Sequence, residues 1–123
     1  MKRKLLAFAA VPMAFTLMAA YDAMYVGSGY GELNVWAGGG SASAYARTTA
    51  YASGNNVSVS VSLTPRGSGC SGWVTSSNSG VGYTEAYAYA PAGCSATEAT
   101  AAAYHTIYHS NGFADNASTY ITQ

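Results

Sequence analysis

His105 and His109 stand four residues apart, a spacing that puts both side chains on one side of a helix or a strand. That spacing is also used by the histidine pair of zinc proteases. The intervening Thr106-Ile107-Tyr108 lacks the glutamate that would serve as base, and a third ligand would have to come from Glu98 or Asp115. The reading adopted is two ordinary surface or sheet-face histidines, with no metal and no cofactor. Serines are plentiful, but no Gly-x-Ser-x-Gly elbow marks one as a nucleophile. Glycoside hydrolysis needs paired carboxylates, and Glu32 and Glu85 are the obvious picks among five scattered acids. Nothing in the sequence joins them. No catalytic residue is assigned, and the chain is read as non-enzymatic.

The aromatic residues say more. The chain has eleven tyrosines and two tryptophans in a setting of small, uncharged residues. Trp36, Tyr45, Tyr51, Tyr87 and Tyr89 alternate with aliphatic residues, so each falls on one face of a strand. Exposed rings of this kind offer rigid contact area and stack on sugars or other flat groups. These five are the candidate ligand-binding residues. The competing reading is that such rings fill the core of one sheet, or cover an ordinary sheet surface. The sequence does not choose between exposed and buried.

The chain is long enough for one domain. Its start reads as a signal peptide: Lys2, Arg3 and Lys4, an apolar run from Leu5 to Leu17, then Ala19 and Ala20. Cleavage is expected after Ala20, giving a signal peptide over 1–20 and a secreted or periplasmic β domain over 21–123. The run is shorter than the roughly 20 residues that cross a bilayer, so no membrane anchor is expected in the mature form. What remains has no lysine, and two arginines, Arg47 and Arg66, against five acids. Lysine-based covalent chemistry is excluded. Nucleic acid is excluded as a partner, because no basic footprint is present. The two cysteines, Cys70 and Cys94, are expected to pair after export. Asn56-Val57-Ser58 and Asn116-Ala117-Ser118 are glycosylation sequons only in a eukaryotic secretory pathway.

Period-two alternation dominates the rest. Val57, Val59, Val61 and Leu63 oppose Ser58, Ser60 and Ser62; Ala44, Ala46, Ala50 and Ala52 oppose Tyr45, Arg47, Thr49 and Tyr51. Between them lies Ser53-Gly54-Asn55-Asn56, a run of turn formers. The expected structure is an antiparallel hairpin pairing Ala52 with Val57 and Ala46 with Leu63. Further strands are expected over Tyr21–Val26, Glu32–Ala37, Trp73–Ser77, Thr84–Ala90 and Phe113–Ile121. Turns are expected at Gly27–Gly31 and Ser79–Gly82, and Pro65 is expected to end its ladder. Residues 96–109 carry a helix signal, with Ser95 and Glu98 spaced as a capping box. They also carry β-forming Tyr104, Thr106, Ile107 and Tyr108 before Asn111-Gly112, and a strand is the reading preferred. The fold class is all-β: a small antiparallel β-sandwich, immunoglobulin-like or barrel-like, with one disulfide.

Two functions from different classes fit. One is surface binding, to a glycan or a partner surface, through the tyrosine faces. The other is self-association into an extracellular fibre or matrix, because Val57–Leu63 is uncharged, β-prone and free of proline.

Overall fold

The computed structural model describes residues 2–5 and 18–123. Most of the expected signal peptide lies outside the described residues. The strands are β1 (Lys2–Leu5), β2 (Met18–Val26), β3 (Gly29–Gly38), β4 (Ser41–Ala50), β5 (Asn56–Ser68), β6 (Val74–Val81), β7 (Tyr83–Tyr89), β8 (Ser95–Tyr108) and β9 (Ala114–Thr122). They form two antiparallel sheets, β1-β2-β3-β4-β7 and β6-β5-β8-β9, packed face to face. β2 begins at Met18, ahead of the expected cleavage point, and Ala20 is buried in the core.

The alternation holds: Val57, Val59, Val61 and Leu63 all face inward, as do Ala44, Ala46 and Ala50. The hairpin does not. β4 pairs with β3 and β7, while β5 pairs with β6 and β8, so the two strands lie in opposite sheets. The Ser53–Asn56 turn carries the chain across the sandwich. Ala52, expected to face inward, lies past the end of β4 and is exposed. Both hydrogen-bonding edges of β4 are already filled, and its aliphatic face meets β5 across the core instead of beside it.

The core shows why such small residues suffice. Alanines of β4 and β7, at 42, 44, 46, 86 and 88, share one cluster with Val59, Val61 and Leu63 of β5. Alanines 99, 101 and 103 of β8 share it with Leu33 and Val35 of β3. Each small face meets a larger one across the sandwich. Leu33, Leu63, Ile107 and Ile121 are fully buried. Each contributes about 1.5–3 kcal/mol by leaving water, several times what an alanine methyl can give.

Residues 96–109 do not form a helix; β8 runs through Tyr108 and turns at Ser110–Gly112 into β9. Tertiary pairing on both sides overrides the alanine preference for helix. Pro65 does not end β5, which continues to Ser68 against β8. β6 has no partner for β5 beyond Leu63, so proline's missing N–H costs no bond on that side. A bulge follows at Arg66–Gly67. β6 extends to Val81 and turns only at Gly82, and the first turn is confined to Gly27–Ser28.

Cys70 and Cys94 are bonded, as expected. The bridge joins the loop after β5 to the loop before β8, so it closes one end of the four-stranded sheet. The two long sides of the sandwich are tied by side chains. Asn78 of β6 donates to the Glu85 carbonyl of β7 (3.1 Å), and Asp22 of β2 accepts from the Tyr120 amide of β9 (3.0 Å).

Candidate functional site

The strand register determines what the outer face of the five-stranded sheet presents. Four rows cross β2, β3, β4 and β7: Ala19–Trp36–Ser43–Tyr89, Tyr21–Asn34–Tyr45–Tyr87, Ala23–Glu32–Arg47–Glu85 and Tyr25–Tyr30–Thr49–Tyr83. Two aromatic zones thus flank one charged row. None of the eleven tyrosines is buried; the core is aliphatic and the rings are outside. This removes the core-filling reading of the tyrosines. Alternation with inward alanine is what turns them out.

Trp36, Tyr45, Tyr87 and Tyr89, four of the five expected binding residues, come together. They line an open cavity of about 310 Å³ together with Ser43 and Ala44. Tyr87 and Tyr89 lie nearly parallel, with ring centres 6.4 Å apart and planes 5° off. Tyr45 and Tyr87 sit 5.0 Å apart. Small Ser43 between two large rings makes the trough. Tyr51, the fifth, lies elsewhere. It lines a second cavity of about 470 Å³ with Thr49 and Tyr83, into which Arg47 and Glu85 of the charged row also open. Sequence reading missed Tyr21, Tyr25, Tyr30 and Tyr83 on this face. Tyr25 and Tyr30 meet edge to face at 5.7 Å, and the Tyr21 and Tyr30 hydroxyls share a hydrogen bond of 3.2 Å.

The charged row brings together the two carboxylates considered for hydrolysis. Arg47 of β4 sits between them and bonds Glu32 at 3.0 Å. Glu85 accepts from the Tyr45 hydroxyl at 2.8 Å. Burial first, and this bond second, push the Tyr45 hydroxyl up to about 12, so it remains a donor at neutral pH. Burial, then the bond to Tyr30, likewise raises Tyr21. The half-exposed Arg47–Glu32 pair is screened by water and contributes at most about 1 kcal/mol. Its value is positional: it holds polar groups level with the rings. Arg47 Nε is buried with no hydrogen-bond partner among the described residues.

No protein-family model, curated protein or solved structure matches the chain significantly. The site is therefore read from its own residues.

The histidines do not share a site. His105 is fully buried, with Nδ1 2.8 Å from Thr48 Oγ1 and Nε2 2.9 Å from Thr119 Oγ1. Both ring nitrogens are occupied, so neither is open to a metal. His109, beyond the end of β8, meets Asp115 at 2.6 Å, and Ser28 Oγ lies 3.2 Å from the same carboxylate oxygen. A serine, a histidine and an aspartate thus converge from three segments, which no local pattern could show. The arrangement is not that of a relay. Asp115 and Ser28 both approach His109 Nε2, the serine at 3.4 Å, whereas a relay needs them on opposite ring nitrogens. The cluster acts as a clasp between the β2–β3 turn and the β8–β9 hairpin. Gly27 belongs to it, because a side chain there would strike the Asp115 carboxylate.

The bond from His109, opposed by burial and helped by Ser28, holds the Asp115 carboxyl below its ordinary value. A lowered carboxyl contributes stability above its unfolded-state pKa and loses it as pH falls through the folded value. Asp115→Asn is expected to melt below the parent at pH 7. The gap should narrow as pH falls past the ordinary carboxyl value and through the lower folded one, where the parent's own carboxyl takes up its proton. Parallel thermal melts across that range check it; a gap that persists in acid would mean the clasp does not depend on charge.

Proposed function

We propose that the mature chain is an exported, non-enzymatic module that acts by surface contact through the outer face of the sheet formed by β2, β3, β4 and β7. The observation behind this reading is the grouping of Trp36, Tyr45, Tyr87 and Tyr89 around one trough on a rigid, doubly layered support. Rings held by a sheet lose little freedom on binding, so their contact area converts to affinity with less entropic cost. The disulfide, and the lack among the described residues of a helix long and apolar enough to cross a membrane, are compatible with a life outside the cytoplasm.

Val57–Leu63, the stretch that suggested edge pairing, is hydrogen-bonded on both sides, by β6 and β8. It offers no free edge.

The test is retention of the purified mature chain on insoluble polysaccharides and on cell-wall fragments. Tyr87→Ala with Tyr89→Ala is expected to weaken binding about five- to a hundred-and-fiftyfold, at roughly 0.5–1.5 kcal/mol per ring contact. Both rings are largely exposed, so the melting temperature should be preserved. Unchanged retention of the double variant would refute the aromatic face as the binding surface. Filaments formed by the wild-type chain in solution would favour the structural-subunit reading.

A further inference from the structure

Resting on the contact reading above, we infer that the ligand is an extended, unbranched and uncharged polysaccharide chain laid along β4 and β7, engaging both aromatic zones at once. Both cavities line the same two strands. The first is flanked by Tyr45, Tyr87 and Tyr89, the second by Thr49, Tyr51 and Tyr83. Their centres are separated by about five residues of β4, or about 17 Å at the rise of an antiparallel strand. A disaccharide fills one of them. A longer chain reaches both and passes over Arg47 and Glu85, which line the second cavity on the side nearer the first.

The chemistry of the face selects a sugar polymer. A pyranose ring carries C–H groups on its faces and hydroxyls around its rim. The rings of Tyr87 and Tyr89 suit the faces. Glu85, Arg47, Ser43 and Thr49 lie level with the rims as acceptors and donors. An extended peptide is less well served. The backbone groups of β4 are committed to β3 and β7 on its two sides, and a peptide laid across that face would leave its own amides unpaired.

Charge selects within the sugar polymers. The row holds two carboxylates against one guanidinium, and the chain after residue 20 has two arginines against five acids. A polyanion such as polygalacturonate or hyaluronate would meet the net negative charge of that row as it crossed it. Two linked subsites also make affinity depend on length, because the second contact becomes intramolecular.

The experiment is calorimetric titration of the mature chain with soluble glucan, xylan, mannan and N-acetylglucosamine oligomers, each from the disaccharide upward, with polygalacturonate and hyaluronate as anionic comparators. Affinity for one neutral series is expected to rise at least tenfold once the oligomer spans both cavities, and then to level off. Tyr83→Ala and Tyr89→Ala, at opposite ends, are each expected to abolish that rise while leaving weak binding of short oligomers at the intact end. Tyr83→Ala with no effect on the long oligomers would overturn the two-subsite chain, even if Tyr89→Ala still abolished binding and the contact reading stood. Equal or tighter binding of the polyanions would overturn the charge argument. No binding to any neutral series would overturn the inference. If Tyr87→Ala with Tyr89→Ala then still released the chain from cell-wall fragments, the contact reading would survive it.

Discussion

Acidification from pH 7 to pH 4 is expected to cost the fold about 3 kcal/mol, and one buried residue accounts for it. His105 lies between two apolar clusters, the larger around Leu33 and Leu63 and the smaller around Val26, Val57 and Ile107. Gly31 gives it room: a methyl group there would collide with the imidazole ring. Its two nitrogens are satisfied by Thr48 and Thr119, hydroxyls that can turn to donate or accept. What the site cannot supply is solvation of a charge. Burial drives the His105 pKa down to about 4, with Asp22 opposing only in part. The unfolded chain takes up a proton near pH 6.5, and the folded chain resists until about pH 4. Stability is therefore full above pH 6.5 and falls through the window down to 4. Denaturant midpoints at half-unit pH steps will show it. His105→Gln should respond far less between pH 6.5 and 4.5. A wild-type chain equally stable at pH 7 and pH 4.5 would refute the argument.

Removing the disulfide is expected to cost about the same, roughly 3 kcal/mol for a loop of this length. Cys70 and Cys94 are separated by 24 residues, a segment that crosses from one sheet to the other and back. Much of the core surface is alanine, so the apolar contribution per residue is small and a crosslink carries more of the total. Cys94 is itself buried, and Cys70 packs against the same cluster. Cys70→Ala with Cys94→Ala, or reduction in mild denaturant, should lower the melting temperature by roughly 14 °C. Loss should begin at the Ser68–Ser95 end, where β5 and β8 lose their tie, and amide exchange there should rise first. A melting temperature unchanged by reduction would show that the crosslink adds nothing to the packed core.

Faces were legible in the sequence; neighbours were not. Alternation of valine with serine in β5 states which side chains point inward, and every one does so. It does not state which strand lies alongside. Ala46 and Leu63 looked like hairpin partners because both are aliphatic and inward, and packing across the core satisfies that pattern equally well. The four-residue turn at 53–56 serves either topology. The disulfide was readable because only one pairing exists for two cysteines. The side chosen by the tyrosines was not, because Tyr-x-Tyr opposite Ala-x-Ala is silent until the partner sheet supplies leucine and valine to fill the space above the alanines. Ser28, His109 and Asp115 meet only through the whole topology, so no spacing announced them.

The cross-links made by Asn78 and Asp22 along the two flanks have a consequence for behaviour in bulk. Each engages a main-chain group on a strand at the margin of its sheet, on β7 in one case and β9 in the other. An incoming strand must displace that side chain before it can add to the ladder there. Addition of a strand at β7 or β9 therefore carries the cost of breaking one of these bonds.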